Sequence, residues 1–218
     1  VYQAENSPDE PLEGMAKVGQ EVVFNSLHKS ILGILKTREG KKNEPVAIAP
    51  VRKIQEIEPE RDVIKLRPEP IRGYSVNAAE IMLKEKGFFD GNKNCAAPGF
   101  PHQYEVQKDG KVVCDHASGL MWQQSGSDGY VPYKGAGAYI DTLNSQAFAG
   151  YRDWRLPTLE EAMSLVEPTK MNGDLYIDPK FDNGQRWIWT SDTASASSTR
   201  VVYFYYGFCN SDFKGFNY

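Results

Sequence analysis

The stretch AGYRDWRLPT, at residues 149–158, decides how this chain folds. A tryptophan in such a setting anchors the chain in a core, an arginine forms an ion pair or backbone contact at the edge of that core, and a proline stops the preceding segment. Thr158 is a favourable helix N-cap, and the glutamates at 160 and 161 suit the positive end of a helix. We therefore interpret Trp154, Arg155 and Pro157 as structural residues at the entrance to a helix and not as catalytic ones.

Regular elements are predicted on both sides of this stretch. Residues 133–146 are predicted to form a helix whose apolar face carries Ala136, Tyr139, Ile140 and Leu143. Upstream, QYEVQKDGKVVCD at 103–115 alternates apolar and polar residues around Asp109-Gly110, a dipeptide that accepts positive φ, and this pattern predicts a β-hairpin. Two further phrases frame the region, DHASGLMW at 115–122 and WIWTS at 187–191.

These three phrases, at 115–122, 149–158 and 187–191, resemble in this order the C-terminal domain of bacterial collagen-like proteins, called the Lcl-C domain. The resemblance covers about residues 88–218. It implies an α+β, C-type-lectin-like fold, with two short helices packed on irregular, twisted antiparallel sheets. It extends to the variable proteins of diversity-generating retroelements in bacteria and phages. In those proteins the C-terminal stretch is diversified at asparagine codons and displayed as a ligand-binding surface.

The chain is predicted to have two parts, residues 1–72 and residues 73–218. The first twelve residues are polar and contain proline, which is typical of a loose lead-in, and residues 21–42 show the spacing of an amphipathic helix. Five prolines between 43 and 70 then indicate an extended linker. The second part is the predicted lectin-like domain, which opens with a helix capped by Ser75 and closed by Gly87.

Composition excludes several classes of function. The net charge of -4 provides no overall basic field, so we do not expect nucleic acid as a partner. No apolar run approaches the roughly 20 residues that cross a bilayer, and the first residues do not resemble a signal peptide. Because the chain begins at Val1 without Met, the absence of a signal decides little. The cell surface or secretion is favoured over the cytoplasm, and the oligomeric state is not indicated.

Residues for catalysis are scarce. Cys95, Cys114 and Cys209 form no CxxC pair, so a zinc site built from them is not expected, while Cys95 and Cys114 either close a loop or stay free. His102 and His116 stand alone, and no GxSxG or HExxH motif occurs. The formylglycine-generating enzymes resemble the same fold plan but rely on paired cysteines, which Cys209 does not have. We therefore predict that the protein is not an enzyme and has no catalytic residues.

Calcium is the remaining inorganic candidate, since calcium-dependent C-type lectins bind it through clustered carboxylates and carbonyl oxygens. The Glu-Pro-Asn and Trp-Asn-Asp triplets of those lectins do not occur, and EPT at 167–169 is the nearest approach. Four acidic residues in the C-terminal half of the chain are spaced as in a solvated loop, and they are Asp174, Asp178, Asp182 and Asp192. No cofactor and no functional metal site are expected, while a structural calcium ion stays open.

The tail VVYFYYGFCNSDFKGFNY, at residues 201–218, contains eight Tyr or Phe residues. It has no aliphatic residue after Val202, which is not the composition of a buried strand. Tyrosine mixed with Ser, Gly, Asn and Asp is favoured in antigen-binding loops, because it combines large rigid contacts with adaptable hydrogen bonding. Val201, Val202 and Phe204 are expected to anchor one face in the core, and Gly207 is expected to make the turn. The resemblance implies a further framework strand that begins at Tyr218, so closure of the sheet stays open.

We therefore predict a ligand-binding protein that displays a hypervariable, aromatic-rich surface. The candidate ligand-binding residues are Arg200, Tyr203, Tyr205, Tyr206, Phe208, Cys209, Asn210, Ser211, Asp212, Phe213, Phe216 and Asn217. A protein ligand is favoured over a glycan, because aromatic-rich surfaces of low charge suit mixed protein surfaces. Two alternatives stay open. One is a fixed adhesin-type lectin whose rings stack on sugars, and the less favoured one is an oxidoreductase related to formylglycine-generating enzymes.

Overall fold

A computed structural model of the chain describes residues 3–5 and 63–215. The predicted amphipathic helix at 21–42, most of the predicted linker and residues 216–218 therefore lie outside the described residues. The same holds for the framework strand expected from Tyr218 onward.

The first sheet consists of β1 (Gln3–Glu5), β2 (Tyr104–Gln107), β3 (Val112–Asp115), β4 (Leu120–Gln123) and β5 (Trp154–Arg155). Its five strands are antiparallel and lie in the order β2-β3-β4-β1-β5. The prediction of a loose lead-in is wrong for residues 3–5, because they form a strand between β4 and β5. Main-chain hydrogen bonds hold this strand, and such bonds leave no side-chain pattern that could be detected in a three-residue segment.

The hairpin predicted at 103–115 is confirmed. Strands β2 and β3 pair with Val106 opposite Val113, and the turn lies between them. Lys108, Asp109 and Gly110 all have positive φ, at 54°, 55° and 80°. A glycine adopts this conformation without steric cost, which is why the Asp-Gly pair marks the turn in the sequence.

Two of the predicted helices are confirmed. Helix α1 (Val76–Lys86) begins after Ser75, whose side chain accepts a hydrogen bond from Ala78 N–H at 3.1 Å, and ends at the left-handed Gly87 with φ of 66°. Helix α2 (Tyr133–Ser145) ends one residue before the predicted Gln146. On its predicted apolar face Ala136, Ile140 and Leu143 are buried and Tyr139 is partly buried.

The stretch at 149–158 leads into helix α3 (Leu159–Ser164) as predicted. Thr158 forms a full capping box with Glu161, whose carboxylate also binds the Arg155 guanidinium through two bonds of 2.8 and 2.9 Å. Trp154 is 2% exposed, and its indole N–H donates to the carbonyl of Phe148. The anchor, the ion pair and the cap are therefore confirmed as structural features.

The second sheet consists of three antiparallel strands in the order β6 (Trp187–Thr193), β7 (Ser198–Tyr203) and β8 (Phe208–Phe213). Its register places Tyr203 opposite both Trp187 and Phe208. The neighbours of these residues in sequence belong to the main core, and they are Ile188, Val202 and Cys209. Because successive side chains of a strand point to opposite faces, the three aromatic residues lie on the other face of the sheet.

Residues 63–72 contact the same core. Leu66 is buried, and the Arg67 guanidinium pairs with Asp192 at 2.7 Å between Nη2 and Oδ2. Asp192 has no exposed surface, and it also accepts the N–H of Leu159 at 2.7 Å. This buried carboxylate ties residues 63–72 to α3 and β6. The boundary predicted between residues 72 and 73 stays a prediction.

Two antiparallel sheets and a few short helices thus enclose one main core. The arrangement is an α+β, C-type-lectin-like fold, as the sequence predicted. The three cysteines are free, with Cys95 exposed and Cys114 and Cys209 buried, so the open question of a Cys95–Cys114 bridge is answered in favour of free thiols.

Candidate ligand-binding surface

The tail forms β7, a turn at residues 204–207 and β8, and its side chains separate into two groups. Val201, Val202 and Phe204 have no exposed surface, which confirms that they anchor the tail in the core. Tyr205 and Tyr206 are 38% and 56% exposed. Buried and exposed rings therefore alternate within a few residues of each other.

The turn that carries the exposed tyrosines has a fixed backbone. Gly207 makes it, with φ of 70°, and a Cβ at this position would lie 2.8 Å from the Tyr176 ring, so both the conformation and the space require glycine. Its carbonyl accepts the N–H of Gly91 at 2.8 Å. The fully buried Asp90 accepts the N–H of Cys209 at 3.0 Å. The two tyrosines before Gly207 therefore project from an anchored backbone.

The rings of the tail pack against one another. Tyr206 stacks on Phe208 with 5.4 Å between centroids, and Tyr205 meets Tyr206 edge to face at 4.9 Å. The Tyr203 hydroxyl donates to Asp212 Oδ2 at 2.8 Å. Mutual packing restricts the rotamers of these side chains before any ligand arrives, which reduces the entropy lost on binding.

A groove of about 540 Å³ opens beside these rings. We name it the aromatic groove, and it is lined by Tyr130, Arg186, Trp187, Trp189, Tyr203, Tyr205, Tyr206 and Asp212. The Tyr130 and Trp187 rings are 5.2 Å apart, and the indole N–H of Trp189 donates to the Val131 carbonyl at 2.9 Å. The loop before α2, the strand β6 and the tail thus form one concave surface.

Four of these lining residues were not predicted as site residues, namely Tyr130, Arg186, Trp187 and Trp189. A signal for Trp187 does exist, since WIWTS alternates aromatic and buried positions and places Trp187 on the face opposite Ile188. Tyr130 and Arg186 lie outside the regular elements, where residue spacing carries no information about direction.

One end of the groove carries positive charge. The Arg186 guanidinium lies 4.4 Å from the centroid of the Tyr205 ring, and the Lys170 ammonium lies 5.4 Å from the same centroid. Arg186 also pairs with Asp174 at 2.7 Å, and this hydrogen bond holds the pKa of Asp174 below its ordinary value. Cations over aromatic faces are attracted by the negative potential of the rings.

The structure brings only part of the predicted site to the surface. Tyr205, Tyr206, Asn210 and Phe213 are exposed, and Tyr203, Phe208, Ser211 and Asp212 are partly buried. Arg200 and Cys209, at 2% and 1% exposure, are not brought to this surface. Arg200 instead donates from Nε to the Tyr74 carbonyl at 3.0 Å, a contact between residues far apart in sequence. Phe216 and Asn217 lie outside the described residues.

Cys209 has the environment of a core residue. Burial raises the pKa of Cys209 to about 12. Since the thiolate is the reactive form of cysteine, this thiol is inert at neutral pH. The environment does not match that of a redox-active cysteine.

No metal cluster is evident among residues 3–5 and 63–215, where no three His, Cys, Asp or Glu side chains converge to hold an ion. The acidic residues considered for calcium have protein partners instead. Asp174 pairs with Arg186, Asp192 pairs with Arg67, and Asp182 Oδ1 accepts the Gly184 N–H at 2.7 Å.

A polar cluster around His102 and Asp115 lies in the core and supports the fold. His102 Nδ1 lies 2.8 Å from Asp115 Oδ2, and His102 Nε2 lies 2.7 Å from the Ser164 carbonyl oxygen. The Tyr104 ring stacks on the imidazole with 4.3 Å between centroids. Burial alone would raise the pKa of Asp115, but hydrogen bonds from His102, Ser118 and the Gln103 N–H outweigh burial and keep this pKa below its ordinary value.

Comparison with known families agrees with this geometry. Residues 111–218 match the family model of the Lcl C-terminal domain. The chain is therefore similar to this family over residues 111–218. The match begins later than the resemblance noted from about residue 88, and it includes α2, α3, the second sheet and the whole tail. No curated protein and no solved structure matches the chain.

Similarity to this family supports a ligand-binding or recognition domain of the lectin-like type at residues 111–218. All residues that line the aromatic groove lie within the matched range. Within the part of the chain that the structure describes, no helix is long and apolar enough to cross a membrane.

Proposed function

We propose that the protein captures a protein ligand with the aromatic groove and the adjoining exposed face of the tail, without catalysis. The observation that carries this proposal is the separation of roles within the β7–β8 hairpin. Phe204 and Cys209 are buried, whereas Tyr205 and Tyr206 between them are exposed on a fixed turn. Such a hairpin presents large rings to a partner while its alternate residues hold the scaffold.

The same separation supports diversification of the exposed positions, as in the variable proteins of diversity-generating retroelements. A substitution at Tyr205, Tyr206 or Asn210 changes the surface and leaves the core contacts of the hairpin in place. The gene neighbourhood tests this part of the proposal. We expect a reverse transcriptase gene and a near-identical template repeat that differs at adenines, and their absence would leave a fixed binding surface.

Absence of catalysis is supported by the environment of the reactive side chains. Cys209 is buried with a pKa of about 12, and His102 has a backbone carbonyl and a carboxylate at its two ring nitrogens. Neither group is placed to act on a substrate in the aromatic groove.

The experiment that tests binding replaces Tyr203, Tyr205, Tyr206 and Phe208 together by alanine. We expect nearly unchanged thermal stability and loss of ligand capture from panels of purified surface proteins and immobilised glycans. The matched control is Phe204→Ala, which removes a fully buried ring of the same hairpin and should cost about 3–5 kcal/mol of unfolding free energy. Collapse of the fold in the fourfold variant would show that these rings belong to the core and would contradict the proposal.

A fixed lectin is the second candidate, and one observation favours it. A groove of about 400 Å³ adjoins the aromatic groove and shares Tyr130, Arg186, Trp187 and Trp189 with it. Its other lining residues include the polar side chains of Ser127, Asp128 and Gln185. Rings beside polar groups suit a sugar, whose faces stack while its hydroxyls hydrogen-bond. Binding to the immobilised glycans that is lost in Trp187→Ala, with no binding to the protein panel, would favour this candidate.

A further inference from the structure

We infer that the protein ligand of the aromatic groove presents a carboxylate next to its apolar contact, and that this carboxylate binds Lys170 and Arg186. The inference rests on the proposed function, because it specifies the chemistry of the ligand at the same surface.

The first supporting observation is the position of Lys170. This exposed side chain places its ammonium group 5.4 Å from the Tyr205 centroid and 5.7 Å from the Tyr176 centroid. Within the described ranges, 3–5 and 63–215, no oxygen accepts a hydrogen bond from it. The two rings hold the ammonium group at the edge of the groove, so an ion pair formed there loses little side-chain freedom.

The second observation is the balance of charge at this end of the groove. Lys170 and Arg186 share the Tyr205 ring, and the nearby carboxylate, Asp174, pairs with Arg186 at 2.7 Å and is also attracted by Lys170. At the other side of the groove Asp212 accepts a hydrogen bond from the Tyr203 hydroxyl. Two cations thus face one neighbouring carboxylate, and the excess charge at the Tyr205 end is positive.

The third observation is the layout of charge and rings together. Lys170 and Arg186 lie over the Tyr205 ring, and the rings of Trp187, Tyr203 and Tyr206 line the groove beside it. A repeating polyanion such as a sulfated polysaccharide requires a track of cations, which an aromatic groove interrupts. A cationic group on the ligand would be repelled at the Tyr205 end. A protein that presents Asp or Glu beside an aromatic or aliphatic side chain complements both features.

The test selects a phage-displayed library of random dodecapeptides on the full chain, with counter-selection on the Tyr206→Ala variant. This step retains peptides that depend on the aromatic groove. Asp and Glu should be enriched next to an aromatic or aliphatic residue in the retained pool. Lys170→Glu should weaken the binding of these peptides about tenfold, because the attraction between the ammonium group and the peptide carboxylate becomes a repulsion at the rim of the surface. Lys111→Glu is the matched control, since it makes the same charge change at an exposed position in the β2–β3 turn, and it should have no effect.

The other outcomes overturn either this inference alone or this inference together with the proposed function. Peptides that depend on Tyr206 but show neither acidic enrichment nor sensitivity to Lys170→Glu overturn this inference and leave the proposed function intact. If heparin displaces the acidic peptides and also binds the chain directly, and Lys170→Glu abolishes that binding, the ligand is a sulfated polysaccharide. This outcome overturns the inference of a protein that presents a carboxylate. A library that yields no peptide dependent on Tyr206 overturns the proposed function and this inference together.

Discussion

Residues 149–164 and residues 203–213 both contain aromatic side chains, but the rings of the two segments differ in exposure. In the first segment Trp154 is buried, and its neighbour Arg155 binds a buried glutamate. In the second segment Tyr205 and Tyr206 are exposed, and Arg186, whose guanidinium lies over the Tyr205 ring, pairs with the exposed Asp174. The difference teaches that aromatic side chains can hold a fold together in one place and present a surface in another, according to what covers the rings.

The strongest test of this comparison is a pair of ring deletions. Trp154→Ala should cost about 3–5 kcal/mol, since it leaves a cavity under α2 and β5, whereas Tyr206→Ala should cost less than about 0.5 kcal/mol. Chemical denaturation of both variants measures the two free energies of unfolding. Equal losses would show that the tail rings are part of the core and would remove the contrast between the segments.

The ion pair within the first segment and the ion pair beside the second segment provide the next test. Glu161→Ala should cost roughly 3 kcal/mol, because it leaves the Arg155 guanidinium without its buried partner and removes one half of the capping box. Asp174→Ala breaks a pair whose two side chains are about half exposed, and we expect little change in stability. Thermal melts of the two variants at equal ionic strength measure the difference. A large loss in Asp174→Ala would mean that the surface pair also holds the tail in place.

A smaller effect is expected at the helix cap. Thr158→Ala removes the side-chain oxygen that accepts the Glu161 N–H, which should cost about 1 kcal/mol. Thr158→Ser is the control, since it keeps this acceptor and should retain most of the stability. If both variants behave alike, the threonine methyl group and not the cap supports the segment.

The last prediction concerns how the free energy of unfolding changes with pH. The pKa of Asp115 is below its ordinary value in the folded protein, so the carboxylate stabilises the fold above the unfolded pKa of about 3.9. This contribution should disappear as the pH falls through the folded pKa. Urea denaturation between neutral and strongly acidic pH should therefore show a shallower acid dependence for Asp115→Asn than for the unmodified chain. A parallel dependence in both would show that other carboxylates dominate acid unfolding.

Much of the fold could be predicted because its signals are local. Ser75, Gly87 and Thr158 mark helix ends through contacts with residues three or four positions away, and Asp109-Gly110 marks a turn by its backbone preference. The framework phrases then indicated a resemblance to the family whose model matches residues 111–218. The strand at residues 3–5 could not be predicted, because its stability comes from main-chain pairing with β4 and β5, which are distant in sequence.

The candidate site was predicted only in part. The composition of the tail indicated a surface, and the exposure of Tyr205, Tyr206, Asn210 and Phe213 agrees with this interpretation. Composition could not distinguish these positions from Arg200 and Cys209, which are buried. Nor could it add residues from other segments, such as Tyr130 and Arg186, to the same groove.

The sequence by itself determined the helix caps, the hairpin turn, the framework and the presence of an aromatic tail, because these features depend on residue type and on neighbours within one or two turns of chain. Only the tertiary structure decided which rings face water. Phe204 is buried and Tyr205 is exposed because distant segments cover one and not the other, with Asp90, Gly91 and Tyr176 fixing the turn between them. Exposure is a property of the assembled neighbours, and no local pattern in the tail encodes it.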